Sequence, residues 1–354
     1  MSANSSSLNA LTIARPDDWH LHVRDGAMLA AVLPHTARQF GRAIIMPNLK
    51  PPVTTTALAS AYRDRILAAL PKEGASFEPL MTLYLTDNTP PDEIRRATAS
   101  GFVHGVKLYP AGATTNSDAG VTDLLGKCAK TIESMQEAGM PLLIHGEVTD
   151  GDIDVFDREK VFIDRVMTPL RRDFPALKVV FEHITTKDAA DYVRDAEGQI
   201  GATITAHHLL FNRNAMLVGG IRPHYFCLPV LKRETHRQAL IEAATSGNPR
   251  YFLGTDSASH PKGLKEHACG CAGCYTALHA LELYAEAFDK AGAPDKLEGF
   301  ASFHGPDFYS LPRSAEKVTL ERASWTLPAE FSAGNAQIVP LKGGESIGWR
   351  FVDA

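Results

Sequence analysis

The stretch Trp19-His20-Leu21-His22-Val23-Arg24 decides the reading of the fold. It ends an apolar run that begins at Leu11, and the spacing predicts a strand over residues 11–20. Carried on through His22, such a strand turns alternate side chains to opposite faces. His20 and His22 then share one face and Leu21 takes the other. Two imidazoles side by side at a strand end can grip one metal ion. His-x-His alone is a weak motif. It gains weight from the single His, Lys and Asp residues that recur at the ends of later apolar segments.

Those segments, rich in β-branched residues, are predicted strands at 42–46, 80–85, 103–108, 141–144, 178–182, 202–206 and 251–254. Amphipathic segments at 28–40, 55–70, 91–99, 121–138, 160–173, 187–195 and 233–246 read as helices between them. Leu124, Leu125, Cys128 and Ile132 fall on one stripe of a helical period. Strands alternating with helices indicate an α/β fold with a parallel sheet, and eight such repeats predict a (β/α)8 TIM-type barrel. An open doubly wound sheet is the alternative. It normally carries a Gly-rich phosphate loop after its first strand, and here that place holds His20-Leu21-His22. From about Ala293 the pattern loosens: 319–336 is polar and mixed, while 337–339 and 347–352 read as short strands. The organisation expected is one barrel domain over 11–354 with a C-terminal extension from about 293, after a Ser/Asn-rich disordered lead-in at 1–10.

The 354 residues are 44% apolar and 22% charged, the balance of a globular chain. A formal charge of −5 leaves no basic excess to neutralise phosphates, which argues against nucleic-acid binding. No apolar run reaches the roughly 18 residues a spanning helix needs, so no membrane span is expected. The N-terminus lacks a basic-then-apolar secretory pattern. Five cysteines, an odd number, fit reduced thiols in a cytoplasm. Cys269-x-Cys271-x-x-Cys274 has a spacing that suits zinc or redox chemistry, but no fourth ligand of zinc-ribbon type follows, although His260 and His267 are near. A tight turn beside a pocket, with packed and reduced thiols, is the preferred reading.

In a parallel barrel, reactive groups gather at the C-terminal ends of the strands. Read in order, these ends hold His20 and His22, Asn48, Lys107, His145, His183 and Asp256. Each alone has a bland reading: His145 and His183 as satisfied core histidines, Lys107 as a snorkelling lysine, Asp256 as a helix N-cap. All of them falling at the proper ends of one fold favours a metal site. Imidazole and carboxylate without thiolate suit Zn(II), or Mn, Co or Fe(II) in its place. Four His and one Asp exceed a three-ligand catalytic site, so two ions fit. Two close cations need a bridging anion. A protonated lysine cannot be one, whereas Lys107 carbamylated by CO2 (N6-carboxylysine) can. Two metals sharing a hydroxide would lower its pKa and polarise a carbonyl. Asp256 could take the proton and hand it to a leaving nitrogen.

His20-x-His22, the run Val106-Lys107-Leu108-Tyr109-Pro110-Ala111-Gly112-Ala113-Thr114-Thr115-Asn116-Ser117, His145, His183 and Gly254-Thr255-Asp256-Ser257-Ala258 resemble the amidohydrolase superfamily. Asp18 through Gly26, Met46-Pro47-Asn48-Leu49 and Cys269-Gly270-Cys271-Ala272-Gly273-Cys274 resemble, more closely, the shorter single-function dihydroorotases of bacteria. The resemblance runs from about Leu11 into the 330s, with no departure at a ligand position. It implies zinc-dependent, reversible hydrolysis of L-dihydroorotate to N-carbamoyl-L-aspartate, in de novo pyrimidine (UMP) synthesis, by a cytoplasmic homodimer.

The resemblance also implies roles. His20, His22 and Asp256 hold the more buried of two Zn2+, and His145 and His183 hold the second. Carbamylated Lys107 and a hydroxide bridge the pair, and Asp256 moves the proton. Arg24 and Asn48, helped by His260, bind the substrate carboxylate, a task that a planar guanidinium suits. Thr114 and Thr115 lie on a loop that closes over the substrate. Leu228 and Ala272 offer backbone groups to its ring amides. The rivals are another cyclic amidase (hydantoinase- or allantoinase-like) on the same binuclear centre, and a non-catalytic barrel acting as a binding partner. Arg24, Asn48 and His260 together favour a substrate bearing a carboxylate, and a complete ligand set weighs against a silent barrel.

Overall fold

Pro16 decides how the chain enters the barrel. It has no N–H for a ladder and holds φ at about −65°, so the strand expected over 11–20 is two strands, β1 (Ala10–Ala14) and β2 (Asp18–His22). β1 pairs antiparallel with a strand near the C-terminus, and only β2 belongs to the barrel. The structure is a computed structural model and describes residues 9–71, 76–268 and 270–352. Of the lead-in expected at 1–10, residues 1–8 lie outside the described residues, and Ala10 is already in β1.

β3 (Arg42–Ile45), β4 (Glu78–Tyr84), β5 (Val103–Leu108), β6 (Leu142–Ile144), β7 (Val179–Phe181), β8 (Ile200–Ile204) and β9 (Tyr251–Leu253) follow β2, each parallel to the one before. β10 (Ser257–Ala258) pairs in parallel with β2 and brings the end of the ring back to its beginning. The fold is a (β/α)8 barrel. Its strands read as nearly unbroken apolar runs because a parallel sheet is covered on both faces.

Alternation decides which side chains face the barrel axis. In β6, Leu142 and Ile144 pack outward into the main core, while Leu143 joins Trp19, Ile44, Leu80, Val180 and Phe252 in a separate buried layer inside. Tyr309 closes that layer from below, its ring stacked 4.4 Å from Trp19. Two residues beyond Leu143 and Val180 the next inward positions are His145 and Glu182. β2 reaches the same arrangement through a slip in register. Asp18 pairs with Ala43 but Leu21 with Ile45. The extra residue bulges, and Trp19 and His20 both turn inward.

Three expectations for the outer elements need correction. The helix over 121–138 breaks at Cys128 into Leu124–Lys127 and Ala129–Ala138, although Leu124, Cys128 and Ile132 are buried as their stripe requires. A helix at Ala280–Lys290, burying Leu281, Tyr284 and Phe288, has no counterpart among the expected elements. The polar stretch 319–336 holds most of a ten-residue strand, β11 (Lys317–Thr326), and also β12 (Phe331–Ala333), which forms a hairpin with β13 (Ala336–Ile338), the short strand expected at 337–339. With β14 (Ser346–Val352), β1 and β11 form an antiparallel sheet. Among the described residues no helix is long and apolar enough to cross a membrane.

Candidate metal and substrate site

The inward positions at the upper strand ends bring the chemistry together. The Nε2 atoms of His20 and His22 lie 3.5 and 3.1 Å from the same Oδ1 of Asp256, and the three side chains place a donor atom each within 4.8 Å of one another. The far nitrogens are held from behind: His20 Nδ1 is 2.8 Å from Glu182 Oε2, and His22 Nδ1 is 2.9 Å from Asn48 Oδ1. An acceptor at Nδ1 keeps the proton there and leaves the Nε2 lone pair facing forward. His145 is gripped in the opposite sense, with Nε2 2.7 Å from Glu147 Oε2, so its Nδ1 is the available donor. The ring of His183 stands 4.9 Å from those of both His20 and His145.

His183 and Asp256 adopt φ of +39° and +44°, a left-handed backbone that costs energy outside glycine. Neighbouring strands hold them there. The His183 N–H donates to Thr203 Oγ1 at 2.6 Å, and the Asp256 N–H donates to the His20 carbonyl at 2.8 Å. Asp18, beneath, accepts from the Thr255 hydroxyl at 2.5 Å and from the His20 N–H at 3.1 Å.

The protonation states fit a bound cation. Burial lowers the pKa of His22 to about 4 and also lowers those of His145 and His183, so all three are neutral imidazoles, the form that ligates. Burial opposes the charge of Asp256, yet the surrounding side chains of His22, His20 and His183 hold its pKa well below the usual range. Lys107 is fully buried, and its Nζ has no hydrogen-bond partner. Burial pulls its pKa down to about 8, against the pull of Glu182 and Asp256. His183 Nδ1 is likewise buried without a partner. Orphaned polar atoms are rare in a folded interior. Two of them beside neutral imidazoles and a carboxylate make a donor set that suits divalent metal.

A narrow cavity opens over these groups. His20, His22, His145, His183 and Asp256 form one wall. Arg24, Asn48, Tyr109, Thr114, Thr115, Leu228, Ala258, Ala272 and Gly273 form the rest. Lys107 lies behind the wall. His260 also stands back: its Nε2 is 3.0 Å from Arg24 Nη2 and 2.9 Å from the Ala272 carbonyl. One ring nitrogen cannot accept from the first and donate to the second at once. Arg24 is anchored by its Nε, which donates to the Ser259 carbonyl at 3.1 Å, and by the Tyr62 hydroxyl, which donates to the Arg24 carbonyl at 2.5 Å. Asn48 has two tasks, since its Nδ2 also donates to the Thr115 carbonyl at 3.2 Å. Cys271 and Cys274 are free thiols, while Cys269 lies outside the described residues.

The sequence reading did not single out Glu182, Glu147, Thr203, Tyr109 or Asp18. Glu182 left a usable signal. It is a carboxylate directly after Val179-Val180-Phe181 and directly before a candidate ligand, a costly place for a charge without a partner.

The profile of the amidohydrolase family matches residues 16–321. The chain is 76% identical over 345 residues to a dihydroorotase of Ralstonia nicotianae, covering 98% of this chain and 100% of that one. It superposes on the crystal structure of a dihydroorotase from Campylobacter jejuni with a TM-score of 0.89 at 37% identity, covering 99% of both chains. A dihydroorotase from Saccharomyces cerevisiae, solved in complex with 5-fluoroorotic acid, superposes with a TM-score of 0.89 at 34% identity, covering 98% of this chain and 100% of that one. Barrel, strand-end ligands and likeness over nearly the whole length agree: the chain belongs to the amidohydrolase family, among its dihydroorotases.

Proposed function

We propose that this cyclic-amide hydrolase catalyses the reversible hydrolysis of L-dihydroorotate to N-carbamoyl-L-aspartate in de novo pyrimidine synthesis, as a cytoplasmic homodimer loaded with zinc. One observation carries the reading: four histidines and a carboxylate line a cavity that also holds a guanidinium, with the buried amine of Lys107, which has no hydrogen-bond partner, behind them. His20, His22 and Asp256 would hold one zinc ion, and His145 and His183 a second, with Lys107 as its carbamate between them. When bound, the ions would supply Lewis-acid polarisation of the ring carbonyl and a more acidic water.

The chain's own residues do the rest. Arg24, anchored through Nε, presents its outer nitrogens to the substrate carboxylate, a planar fork meeting a planar anion. Asn48 and His260 assist it. The S. cerevisiae relative binds 5-fluoroorotic acid, a ring that carries the same carboxylate. Leu228 and Ala272 border the cavity, where their backbone groups would meet the ring amides. Thr114 and Thr115 cover the substrate and exclude water. The carboxylate of Asp256 takes a proton from the attacking water and gives it to the departing ring nitrogen, and ring closure runs the same transfer backwards. Lys107 with a pKa of about 8 has a sizeable neutral fraction near physiological pH, and the neutral amine is the form that adds to CO2.

The test is hydrolysis of dihydroorotate before chelation, after chelation and after zinc return. Turnover that is lost and then restored supports the reading, and no turnover in any state overturns it. Hydantoin, which lacks the carboxylate, serves as the comparison substrate. Equal turnover of both would favour the rival cyclic amidase.

A further inference from the structure

A second cluster of soft ligands lies beside the cavity. Cys227, Cys274 and His207 place their sulfur and ring-nitrogen atoms within 4.8 Å of one another, and all three are buried. Cys227 comes from the segment before Leu228. Cys274 follows Gly273, and His207 lies on the short helix Ala206–Leu210 beyond β8. The ring of His207 is fully buried, and neither of its nitrogens has a hydrogen-bond partner. A wholly unsatisfied imidazole normally costs stability, and here it stands against two thiols. The neighbouring His208 Nε2 is 3.9 Å from Cys227 Sγ. None of these groups takes part in the catalytic site proposed above.

We propose that His207, Cys227 and Cys274 bind a single thiophilic metal ion of the Zn2+ class, separate from the catalytic ions. Two thiolates and an imidazole are the donors such an ion prefers. Two thiolates also cancel a dication, so the loaded site is neutral and burial costs little. Both sulfurs enter as thiols, so one ion in releases two protons, and affinity rises with pH. The site ties together the two segments that carry Leu228 and Ala272. They are already clamped by the Gly273 N–H on the Phe226 carbonyl at 3.0 Å, and by Lys265 Nζ on the carbonyls of Phe226, Cys271 and Gly273.

Cadmium distinguishes this site from the catalytic one, because the proposed catalytic ligands include no thiolate. The zinc-loaded protein, titrated with Cd2+ under reducing conditions, is expected to develop the ultraviolet thiolate-to-cadmium charge-transfer band with a stoichiometry of one per chain. The band is expected to vanish in Cys227→Ser and Cys274→Ser and to persist in the Cys269→Ser/Cys271→Ser double variant. His207→Gln is expected to weaken cadmium binding at least tenfold. Cys227→Ala and Cys274→Ala, with far-ultraviolet circular dichroism, separate loss of the site from loss of the fold. The proposal is overturned if the folded wild type shows no band. It is equally overturned if the band survives loss of Cys274 but not of Cys269 and Cys271, or if thiol counting shows Cys227 and Cys274 joined as a disulfide in protein purified without oxygen.

Discussion

The two walls of the cavity are built differently. The metal wall is made of side chains at strand ends, fixed by the barrel's ladders and backed by buried acceptors such as Glu182 behind His20 and Glu147 behind His145. The substrate wall is made of loop segments far apart in sequence, and its Thr115 loop is tied to the others by longer single hydrogen bonds. Asn48 to Thr115 spans 3.2 Å, and Thr115 Oγ1 to the Ala272 carbonyl spans 3.4 Å. A wall locked by strand ladders and backing acceptors should fail all at once when a member is changed. A wall of separate segments should weaken by degrees. Asn48 is the hinge between them, since one face of its amide accepts from His22 and the other donates to Thr115.

The largest effect is expected at Asp256. Asp256→Ala should keep the fold and lose about a thousandfold or more in kcat, as loss of a general acid–base group does. Near-normal turnover would remove it from the proton path. Lys107→Met tests the metal wall in another way. It removes an unpartnered buried amine, whose burial costs about 1–3 kcal/mol, so the chelated protein should melt no lower than the wild type while zinc uptake and activity are lost. A lower melting temperature in the metal-free state would show that the amine has a structural partner after all.

Glu182→Gln should weaken zinc affinity by roughly ten- to a hundredfold through misorientation of His20, measured by competition with a chromophoric chelator. An unchanged affinity would mean that the strand alone orients the ring. On the other wall, Arg24→Met should cost about 2 kcal/mol of substrate binding, read as a KM increase of roughly thirtyfold with kcat much less affected. An unchanged KM would take Arg24 out of carboxylate binding. The smallest effect is expected at Thr115→Ala, about 1 kcal/mol or roughly fivefold in KM. A loss as large as that of Asp256→Ala would erase the contrast between the walls.

Much of the metal wall was legible because strand periodicity and residue chemistry pointed the same way. His20, His22, Lys107, His145, His183 and Asp256 could each be placed at a strand end from local pattern alone. The tertiary structure brings those ends to one mouth. What escaped was non-local. Pro16 was visible, but where the strand freed by it would go depended on β11, some 300 residues away, which supplies its partner. β11 itself was missed because its exposed half is polar, Glu321 and Arg322 included, and only pairing with β1 and β14 makes it a strand.

The sequence by itself determined the period, the barrel and the kinds of ligand, because side-chain alternation and donor chemistry are properties of neighbouring residues. Only the tertiary structure decided that a bulge turns Trp19 and His20 inward together, that Glu182 fixes the tautomer of His20, and that Lys107 is left with no hydrogen-bond partner at its nitrogen. Each of those depends on distances between segments that no local pattern encodes. The pKa of Lys107 follows from the same fact, since burial is set by everything packed around a residue rather than by the residues beside it.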